Sequence, residues 1–227
     1  LLANNVDVVA SVRVDSSVLS AGVQRFVAGD FAKAINWSSA LLDVGVVIHI
    51  AARAHVMNDV AIDPLDEFRK VNVEGTLNLA RQAADSGVKR FVFISSIKVN
   101  GEMTGRDDFP HPSPLPEGEG VKSVFTEKDR FIPTDPYGLS KYEAEQGLLA
   151  LAEEIGMEVV IIRPPLVYGA GVKANFASMM KWMNKSIPLP FGAIHNKRSL
   201  VALDNLVSFI IHCADYKKTP QAANQVF

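Results

Sequence analysis

The sequence predicts an α/β protein built on a doubly wound parallel sheet, and three observations support this fold class. Short runs of β-branched and aromatic residues, typical of strands, recur at 6–12, 25–28, 46–50, 90–95 and 158–162. Two longer segments with apolar residues at helical spacing occur at 63–86 and 137–155. These helical segments alternate with the later strands, as in parallel sheets that are covered by helices and bind ligands beyond the carboxyl ends of their strands.

Each predicted helix carries its own boundary signals. Gly87 follows the first helix and can adopt the left-handed backbone that commonly ends a helix. Pro136 precedes the second helix and Gly156 follows it, which is the usual arrangement of these two residue types. Beyond residue 162 the pattern is less regular, and we predict a short helix at 176–183, a strand at 198–201 and a helix at 204–214.

Residues 102–135 interrupt the alternation of strands and helices. Prolines stand at every second position from Pro110 to Pro116, and glycines follow them, so this stretch cannot form a helix or a central strand. We expect an exposed, mobile insertion, and we favour a solvated loop over a proline-rich ligand for a partner protein. The predicted organisation is a main domain at 1–163 and a small lobe at 164–227, whose helix at 204–214 returns to the sheet.

The composition excludes several classes of function. The formal charge is −2, and no basic stripe favours nucleic acid or an anionic membrane as a partner. The single cysteine, Cys213, excludes an internal disulfide and a cysteine-rich zinc site, and it favours a reducing, cytoplasmic compartment. No set of histidines has the spacing of metal ligands, so we expect no metal, and His49 is interpreted as a core residue of an apolar strand.

Tyr137 and Lys141, with Ser96 upstream at the end of a strand, form the main chemical signal. A spacing of four residues places the tyrosine and the lysine on one face of a helix, where an ammonium can favour the phenolate. A serine hydroxyl directed at the same point could bind an alkoxide or a carbonyl oxygen. Together the three groups suit proton transfer to and from a carbinol, although the tyrosine–lysine spacing alone is a weak pattern.

An ordered series of motifs surrounds these three residues. In chain order they are His49-Ile50-Ala51-Ala52, Asn72-Val73-Glu74-Gly75-Thr76, Ile94-Ser95-Ser96, Val99-Asn100-Gly101, Pro136-Tyr137-Gly138-Leu139-Ser140-Lys141, Arg163-Pro164, and Arg198-Ser199-Leu200-Val201 before Asp204. In this series the chain resembles the extended short-chain dehydrogenase/reductase family, in particular nucleotide-sugar epimerases of the UDP-glucose 4-epimerase type. The resemblance covers nearly the whole chain and implies a Rossmann-like sheet at 1–163 and a substrate lobe at 164–227.

The resemblance implies a role for each matching residue. Tyr137 would be the acid–base group, Lys141 would lower its pKa and hold the ribose of a nicotinamide cofactor, and Ser96 would orient the sugar hydroxyl. The implied cofactor contacts are Arg13, Asp30, Phe31, Ala51, Ala52, Asn72, Lys141 and Pro164. The implied substrate contacts are Ser96, Asn175 and Arg198, of which the last two match positions that reach the diphosphate of the substrate.

The chain also departs from the family pattern. The family's first strand and Gly-x-x-Gly-x-x-Gly turn, which seats the pyrophosphate of the cofactor, would precede Leu1, so we expect a fragment of a longer protein. Arg13 follows the strand that ends with an aspartate in NAD-specific members, which favours NADP slightly over NAD. Ile97 and Lys98 replace the Asp-Glu pair with which family dehydratases eliminate water, which argues against a dehydratase.

We therefore expect an NAD(P)-dependent 4-epimerase of a nucleotide sugar, with a UDP-sugar as the favoured substrate and a 4-keto intermediate. An NAD(P)H-dependent reductase of a 4-keto nucleotide sugar, as in surface-polysaccharide synthesis, would use the same three residues. A non-catalytic nicotinamide-binding sensor or scaffold is the alternative from another class. The resemblance also leaves open a homodimer through the helices at 63–86 and 137–155.

The absence of the glycine-rich turn from this chain leads to a binding prediction. We expect residues 1–227 alone to bind NADH or NADPH weakly or not at all, because the pyrophosphate would lack its helix N-terminus. Titration of the polypeptide with either dinucleotide, followed by nicotinamide fluorescence, measures this. Tight, saturable binding would contradict the expectation.

Overall fold

The described strands form three groups in which every pairing is parallel. The computed structural model describes residues 1–2, 6–15, 19–54, 61–101, 125–127, 131–171, 180–185 and 198–227. Its strands are β1 (Val8–Val12), β2 (Val23–Val27), β3 (Val46–His49), β4 (Arg90–Ile94), β5 (Glu158–Ile162), β6 (Leu166–Tyr168), β7 (Leu200–Ala202) and β8 (Gln225–Val226). β1 pairs with β2, the order β3-β4-β5-β8 forms the largest sheet, and β6 pairs with β7.

The helices connect these strands as crossovers. They are α1 (Pro64–Arg69), a π-helical turn (Lys70–Glu74), α2 (Gly75–Asp85), α3 (Pro136–Ile155) and α4 (Leu203–Ala214). Asp63 caps α1 by accepting a hydrogen bond from the Asp66 N–H, and Asp135 caps α3 in the same way from the Gly138 N–H. Gly156 ends α3 with a φ of 70°, as its position after the apolar pattern predicted.

The two faces of the largest sheet are covered by different helices. On one face Phe91, Phe93, Val159 and Ile161 pack with apolar residues of α2 and α3, and on the other Val92, Val160 and Ile162 pack with apolar residues of α4. Successive residues of a strand point to opposite faces, so β4 and β5 are apolar after their first residues, Arg90 and Glu158. The doubly wound parallel sheet predicted from the sequence is therefore confirmed.

The first long helix differs from its prediction. The segment predicted as one helix over 63–86 contains the π-helical turn, in which Asn72 is buried. The extra residue of a π turn is often found at functional sites. Here it occurs where the Asn72 side chain bonds to segments outside the helix, so local side-chain bonding accompanies the departure from the regular spiral.

The four-stranded sheet and the β1–β2 pair fit one doubly wound order. A doubly wound sheet of this kind has the strand order 3-2-1-4-5-6. In this chain β2 and β1 match positions 3 and 2, and β3, β4 and β5 match positions 4, 5 and 6. No described strand fills position 1. Burial agrees with this reading, because β4 is almost wholly buried whereas three of the four residues of β3 are only half-buried. β3 thus has the exposure of an edge strand in a fold that normally buries it.

The C-terminal part of the chain forms a small strand pair and adds the last strand to the main sheet. β6 and β7 form a small pair beside α4, and the chain then returns to the main sheet, where β8 pairs with β5. The helix predicted at 204–214 is observed as α4. The helix predicted at 176–183 lies largely outside the described residues, where 180–184 are helical, and most of the insertion predicted at 102–135 lies outside them too.

Arg90 joins the amino ends of β4 and β5 to the turn after α4. Its side chain is fully buried; its Nε donates to Glu158 at 2.8 Å, and its Nη1 donates to the Cys213 carbonyl at 2.7 Å and to the Thr219 hydroxyl at 2.9 Å. Nη2 donates to the Thr219 carbonyl at 3.0 Å. One guanidinium therefore satisfies buried acceptors from three separate segments.

The Arg90 contacts lead to a stability prediction. Arg90→Met should lower the free energy of unfolding by about 3 kcal/mol or more, since buried acceptors would lose their donor. Arg25→Ala is the matched control, because the Arg25–Asp15 ion pair is exposed and should contribute less than about 1 kcal/mol. Urea unfolding followed by tryptophan fluorescence compares the two. Equal losses in both variants would contradict the role assigned to Arg90.

Candidate active site

Ser96 and Tyr137 meet at the carboxyl end of β4. Ser96 directly follows this strand region and caps a short 3₁₀ turn, Ile97–Asn100, by accepting from the Lys98 N–H at 3.3 Å. Tyr137 lies in the first turn of α3, and the Ser96 side chain lies close enough to its phenol to lower the pKa of that group. The cap of α3 and the turn after β4 thus bring together two residues that are 41 positions apart in the sequence numbering.

Tyr137 is held as a neutral phenol in this arrangement. Burial raises its pKa above the ordinary value, the nearby Ser96 side chain opposes that rise, and the negative charge of Asp135 adds to it. Asp135 forms an ion pair with Lys98 at 3.3 Å, which links the turn after Ser96 to the start of α3. At neutral pH the tyrosine can therefore donate a proton, and removing its proton requires a nearby positive charge.

Lys141 places a cation one helical turn further along α3. Its side chain is buried, its Nζ donates to the Ile94 carbonyl at 2.8 Å and lies 4.3 Å from the centre of the Phe93 ring. Burial lowers the pKa of Lys141 from 10.5 to about 8, and the carboxylate of Glu145 opposes this fall. The lysine is therefore mostly an ammonium at neutral pH and loses that charge near pH 8.

A stack of rings lies behind the ammonium. The ring of His49 is stacked between Phe31, at 5.6 Å, and Phe93, at 5.8 Å, and its Nε2 is 2.9 Å from the Thr76 hydroxyl. Burial, with the charge of Lys141, lowers the pKa of His49 to about 3, so the imidazole is neutral. The sequence-based interpretation of His49 as a satisfied core residue is confirmed.

Asn72 joins α3 to the loop after β3. Its Oδ1 accepts from the Arg53 N–H at 2.8 Å, and its Nδ2 donates to the Arg53 carbonyl at 3.1 Å and to the Ser140 hydroxyl at 2.9 Å. Ser140 in turn donates to the Tyr137 carbonyl at 2.8 Å. The π-helical turn therefore holds both the loop that follows β3 and the helical turn that carries Tyr137.

The cofactor residues expected from the sequence follow the carboxyl ends of several strands. Arg13 is exposed after β1, Asp30 is exposed after β2, Ala51 and Ala52 follow β3, and Pro164 follows β5. Phe31 lies beside Asp30, and the backbone of α2 approaches it so closely that a Cβ on Gly75 would lie 2.7 Å from the Phe31 carbonyl oxygen. These positions lie at the strand ends that bind ligands in doubly wound sheets.

The substrate residues expected from the sequence are less completely placed. Arg198 is exposed immediately before β7, on a different element from those that carry Ser96, Tyr137 and Lys141. Asn175 lies outside the described residues. The structure therefore places Ser96, Tyr137 and Lys141 around the carboxyl end of β4, whereas Arg198 precedes β7.

Several residues of the site did not stand out in the sequence. Phe68 packs edge-on against the Tyr137 ring with centroids 6.2 Å apart, and Arg53 lies 5.4 Å above the Phe68 ring. Asp135 could have been found from its position just before Pro136, which is the N-cap signature of a helix. Phe68 and Arg53 carried no such signal, because each has an ordinary place in its own local pattern.

The described part of the chain has neither a membrane-spanning helix nor a cluster of metal-binding side chains. No helix there is both long enough and apolar enough to cross a membrane. No group of three or more histidine, cysteine, aspartate or glutamate side chains there is arranged to hold a metal ion.

Comparison with known proteins identifies the family. The model of the NAD dependent epimerase/dehydratase family matches residues 1–225. The chain belongs to this family. Within it, the chain is 54% identical over 203 residues to UDP-glucose 4-epimerase of Vibrio cholerae, a match that covers 89% of the chain and 56% of that protein. The chain thus spans about half the length of the relatives it matches.

Solved structures of family members share the fold. UDP-glucose 4-epimerase of Thermotoga maritima, solved with UDP-glucose, gives a TM-score of 0.71 at 23% identity and covers 94% of the chain and 67% of its own. UDP-glucuronic acid 4-epimerase of Bacillus cereus, in complex with UDP-glucuronic acid and NAD, gives a TM-score of 0.69 at 23% identity. This match covers 92% of the chain and 60% of that protein. At these identities the likeness concerns the fold.

The buried ammonium gives a prediction for stability against pH. Between about pH 8 and pH 10.5 the unfolded chain binds the Lys141 proton and the folded chain does not, so stability should rise with pH. The wild type should therefore gain about 3 kcal/mol relative to Lys141→Met across this interval. Urea unfolding of both proteins at a series of pH values measures the difference. A difference that stays constant with pH would show that the ammonium is not destabilised by burial.

Proposed function

We propose that this chain forms the catalytic part of an NAD(P)-dependent 4-epimerase of a UDP-sugar. The observation that carries the proposal is the placement of Ser96 and Tyr137 at the end of β4, one helical turn from the buried ammonium of Lys141, which is bonded to the Ile94 carbonyl. Two hydroxyl groups and a cation then face the same strand end, as proton transfer at a carbinol requires. The similarity to the UDP-glucose 4-epimerase of Vibrio cholerae supports the choice of reaction.

The three residues divide the acid–base work. Tyr137, in its phenolate form, accepts the proton of the sugar 4-hydroxyl and later returns it, while Ser96 donates a hydrogen bond to the same oxygen. Lys141 favours the phenolate during the first step, because an ammonium within one helical turn lowers the cost of the negative charge. The 4-keto sugar then rotates within the site. When the opposite face of the sugar is reduced, Tyr137 returns the proton to the 4-oxygen.

The residues at the strand ends suit a nicotinamide dinucleotide. When bound, its nicotinamide takes up and returns the hydride. Asp30 would accept from the adenine amine, beside Phe31, since its carboxylate is exposed and uses one oxygen for the Ala32 N–H. Lys141 would hold a ribose, because the bond to Ile94 uses only one of the three donors of its ammonium.

Further residues complete the proposed cofactor site. Ala51 and Ala52 would let the loop after β3 approach the cofactor, Asn72 would fix that loop, and Pro164 would border the nicotinamide end. Arg13, exposed after β1, favours the 2′-phosphate of NADP slightly over the hydroxyl of NAD.

The small lobe would supply the substrate contacts. Arg198 is proposed to reach the diphosphate of the nucleotide sugar, for which a guanidinium is well suited, and Asn175 is proposed to assist it.

Ile97 and Lys98 stand where an acid and a base would be needed to eliminate water, so we propose epimerisation over dehydration. A homodimer that uses the exposed sides of α2 and α3 is part of the same proposal.

The function is tested on the longest natural polypeptide that carries this sequence. Incubation with UDP-sugars and catalytic NAD or NADP should produce the 4-epimer without net consumption of the dinucleotide, as mass spectrometry and chromatography of the sugars would show. Stoichiometric consumption of NADH or NADPH with a 4-keto sugar would support the reductase instead. Binding of dinucleotide without turnover of any sugar would support the sensor.

Substitution of the tyrosine provides the residue-level prediction. Tyr137→Phe should lower kcat by about 10²-fold or more, since the acid–base group would be lost while the ring contacts with Phe68 remain. Tyr142→Phe on the same helix is the matched control and should retain wild-type kcat. Full activity in Tyr137→Phe would refute the assigned role.

A further inference from the structure

A buried ion pair lies next to Lys141 and is not used by the proposed chemistry. Glu145 follows Lys141 by four residues on α3, so their side chains are neighbours on one helix face, and the Glu145 side chain is fully buried. Arg163, directly after β5, is 9% exposed and donates to both carboxylate oxygens of Glu145, with its Nε at 3.0 and 3.2 Å. Its Nη2 completes the paired geometry at 2.5 Å.

The ion pair also reaches the segment that carries Ser96. Nη1 of Arg163 donates to the Asn100 Oδ1 at 3.3 Å, and Asn100 is the last residue of the turn that Ser96 caps. Lys141 contacts the same region from α3, because its Nζ donates to the carbonyl of Ile94, two residues before Ser96. Polar contacts therefore run from the serine turn to the ion pair, and the lysine is bonded to the end of β4 one helical turn from Glu145.

We infer that Glu145 and Arg163 form a positioning pair for Lys141, in which the carboxylate of Glu145 supplies a negative charge beside the ammonium and Arg163 holds that carboxylate in place. The inference concerns the lysine of the proposed reaction, and it rests on the proposed function only for its effect on catalysis. A buried carboxylate is costly without a cation bonded to it, so Arg163 is needed to hold Glu145 beside the lysine.

Other charged groups around Lys141 do not replace this carboxylate. His49 on β3 is neutral, and any charge it gained would oppose that of the ammonium. Tyr137 on α3 is a neutral phenol in the absence of the reaction. β4 contributes the Phe93 ring and the Ile94 carbonyl, which attract the ammonium but carry no net charge. Among the residues that the structure describes, Glu145 is therefore the anion that acts on Lys141, and it opposes the effect of burial.

The test measures the charge of Lys141 directly. In the longest natural polypeptide carrying this sequence, lysines labelled with ¹³C and ¹⁵N are titrated by NMR, and the Lys141 signal is identified by its loss in Lys141→Met. Glu145→Gln should move the midpoint of that signal to lower pH by about one pH unit or more. Arg163→Met should move it in the same direction, and the double variant should add little to either single change.

Conservative and distant substitutions separate this role from a purely structural one. Arg163→Lys keeps a cation beside Glu145 and should leave the Lys141 midpoint nearer to that of the wild type than Arg163→Met does. Glu143→Gln is the matched control, because Glu143 lies on the same helix in an ion pair with the exposed Arg69, and it should leave the midpoint unchanged. Circular dichroism establishes which variants fold, and Glu145→Asp replaces Glu145→Gln if the latter does not.

The outcomes distinguish this inference from the proposed function. If the polypeptide is an active epimerase, the alkaline limb of its kcat profile should move to lower pH in Glu145→Gln by the same amount as the NMR midpoint. An unchanged midpoint in folded Glu145→Gln overturns the inference even if epimerase activity is present. A shifted midpoint in a protein that turns over no sugar supports the positioning of Lys141 and refutes the function.

Discussion

A protonated amine enclosed by a helix and two strands must find both an acceptor and a negative charge, because water is not available to solvate it. This requirement of Lys141 determines much of the arrangement around the candidate site. The acceptor is a carbonyl at the end of β4, which fixes α3 against the sheet where Ser96 follows. The negative charge comes from the same helix, and Arg163 then has to be held beside it. Ser96, Tyr137 and the strand ends are consequently brought to one point by the burial of a single charge.

The site also shows how a helix can serve two purposes. α3 buries its apolar face against β4 and β5 and carries Tyr137 and Lys141 near its amino end. The cap at Asp135 begins the helix, and the bond from Asn72 through Ser140 steadies its first turns from the side of α2. The reactive groups thus lie on an element whose position is fixed by packing along most of its length. Such a rigid support is what acid–base chemistry at a fixed distance requires.

Much of the fold could be predicted from local patterns, and the reasons differ between elements. β5 was predicted at its observed bounds, because the apolar run at 159–162 lies between Gly156 and the Arg163-Pro164 pair, which leaves little choice of ends. α3 was predicted to within one residue, since Pro136 and Gly156 mark its ends. β1 and β2 each differ from the prediction by two residues at their amino ends, where flanking polar residues give no sharp signal.

Contacts between distant segments could not be predicted in this way. The π-helical turn keeps the same apolar spacing as an α-helix over so short a stretch, and only the bonds of Asn72 to Arg53 and Ser140 reveal why it occurs. The pairing of Glu145 with Arg163 joins a helix face to a strand end, and neither residue carries a local signal for the other. The catalytic role of Ser96, Tyr137 and Lys141 stays a prediction from a family motif, whereas the groups that hold these residues had to be found in three dimensions.

The open strand position in the sheet has a consequence for the behaviour of the chain in solution. Among the described strands, β1 pairs only with β2 and β3 pairs only with β4, so each presents a row of backbone donors and acceptors on its other side. Such rows readily pair with strands of other molecules. Both edges are rich in valine, and neither carries a charged residue that would discourage pairing. Concentrated solutions of this polypeptide should therefore associate edge to edge.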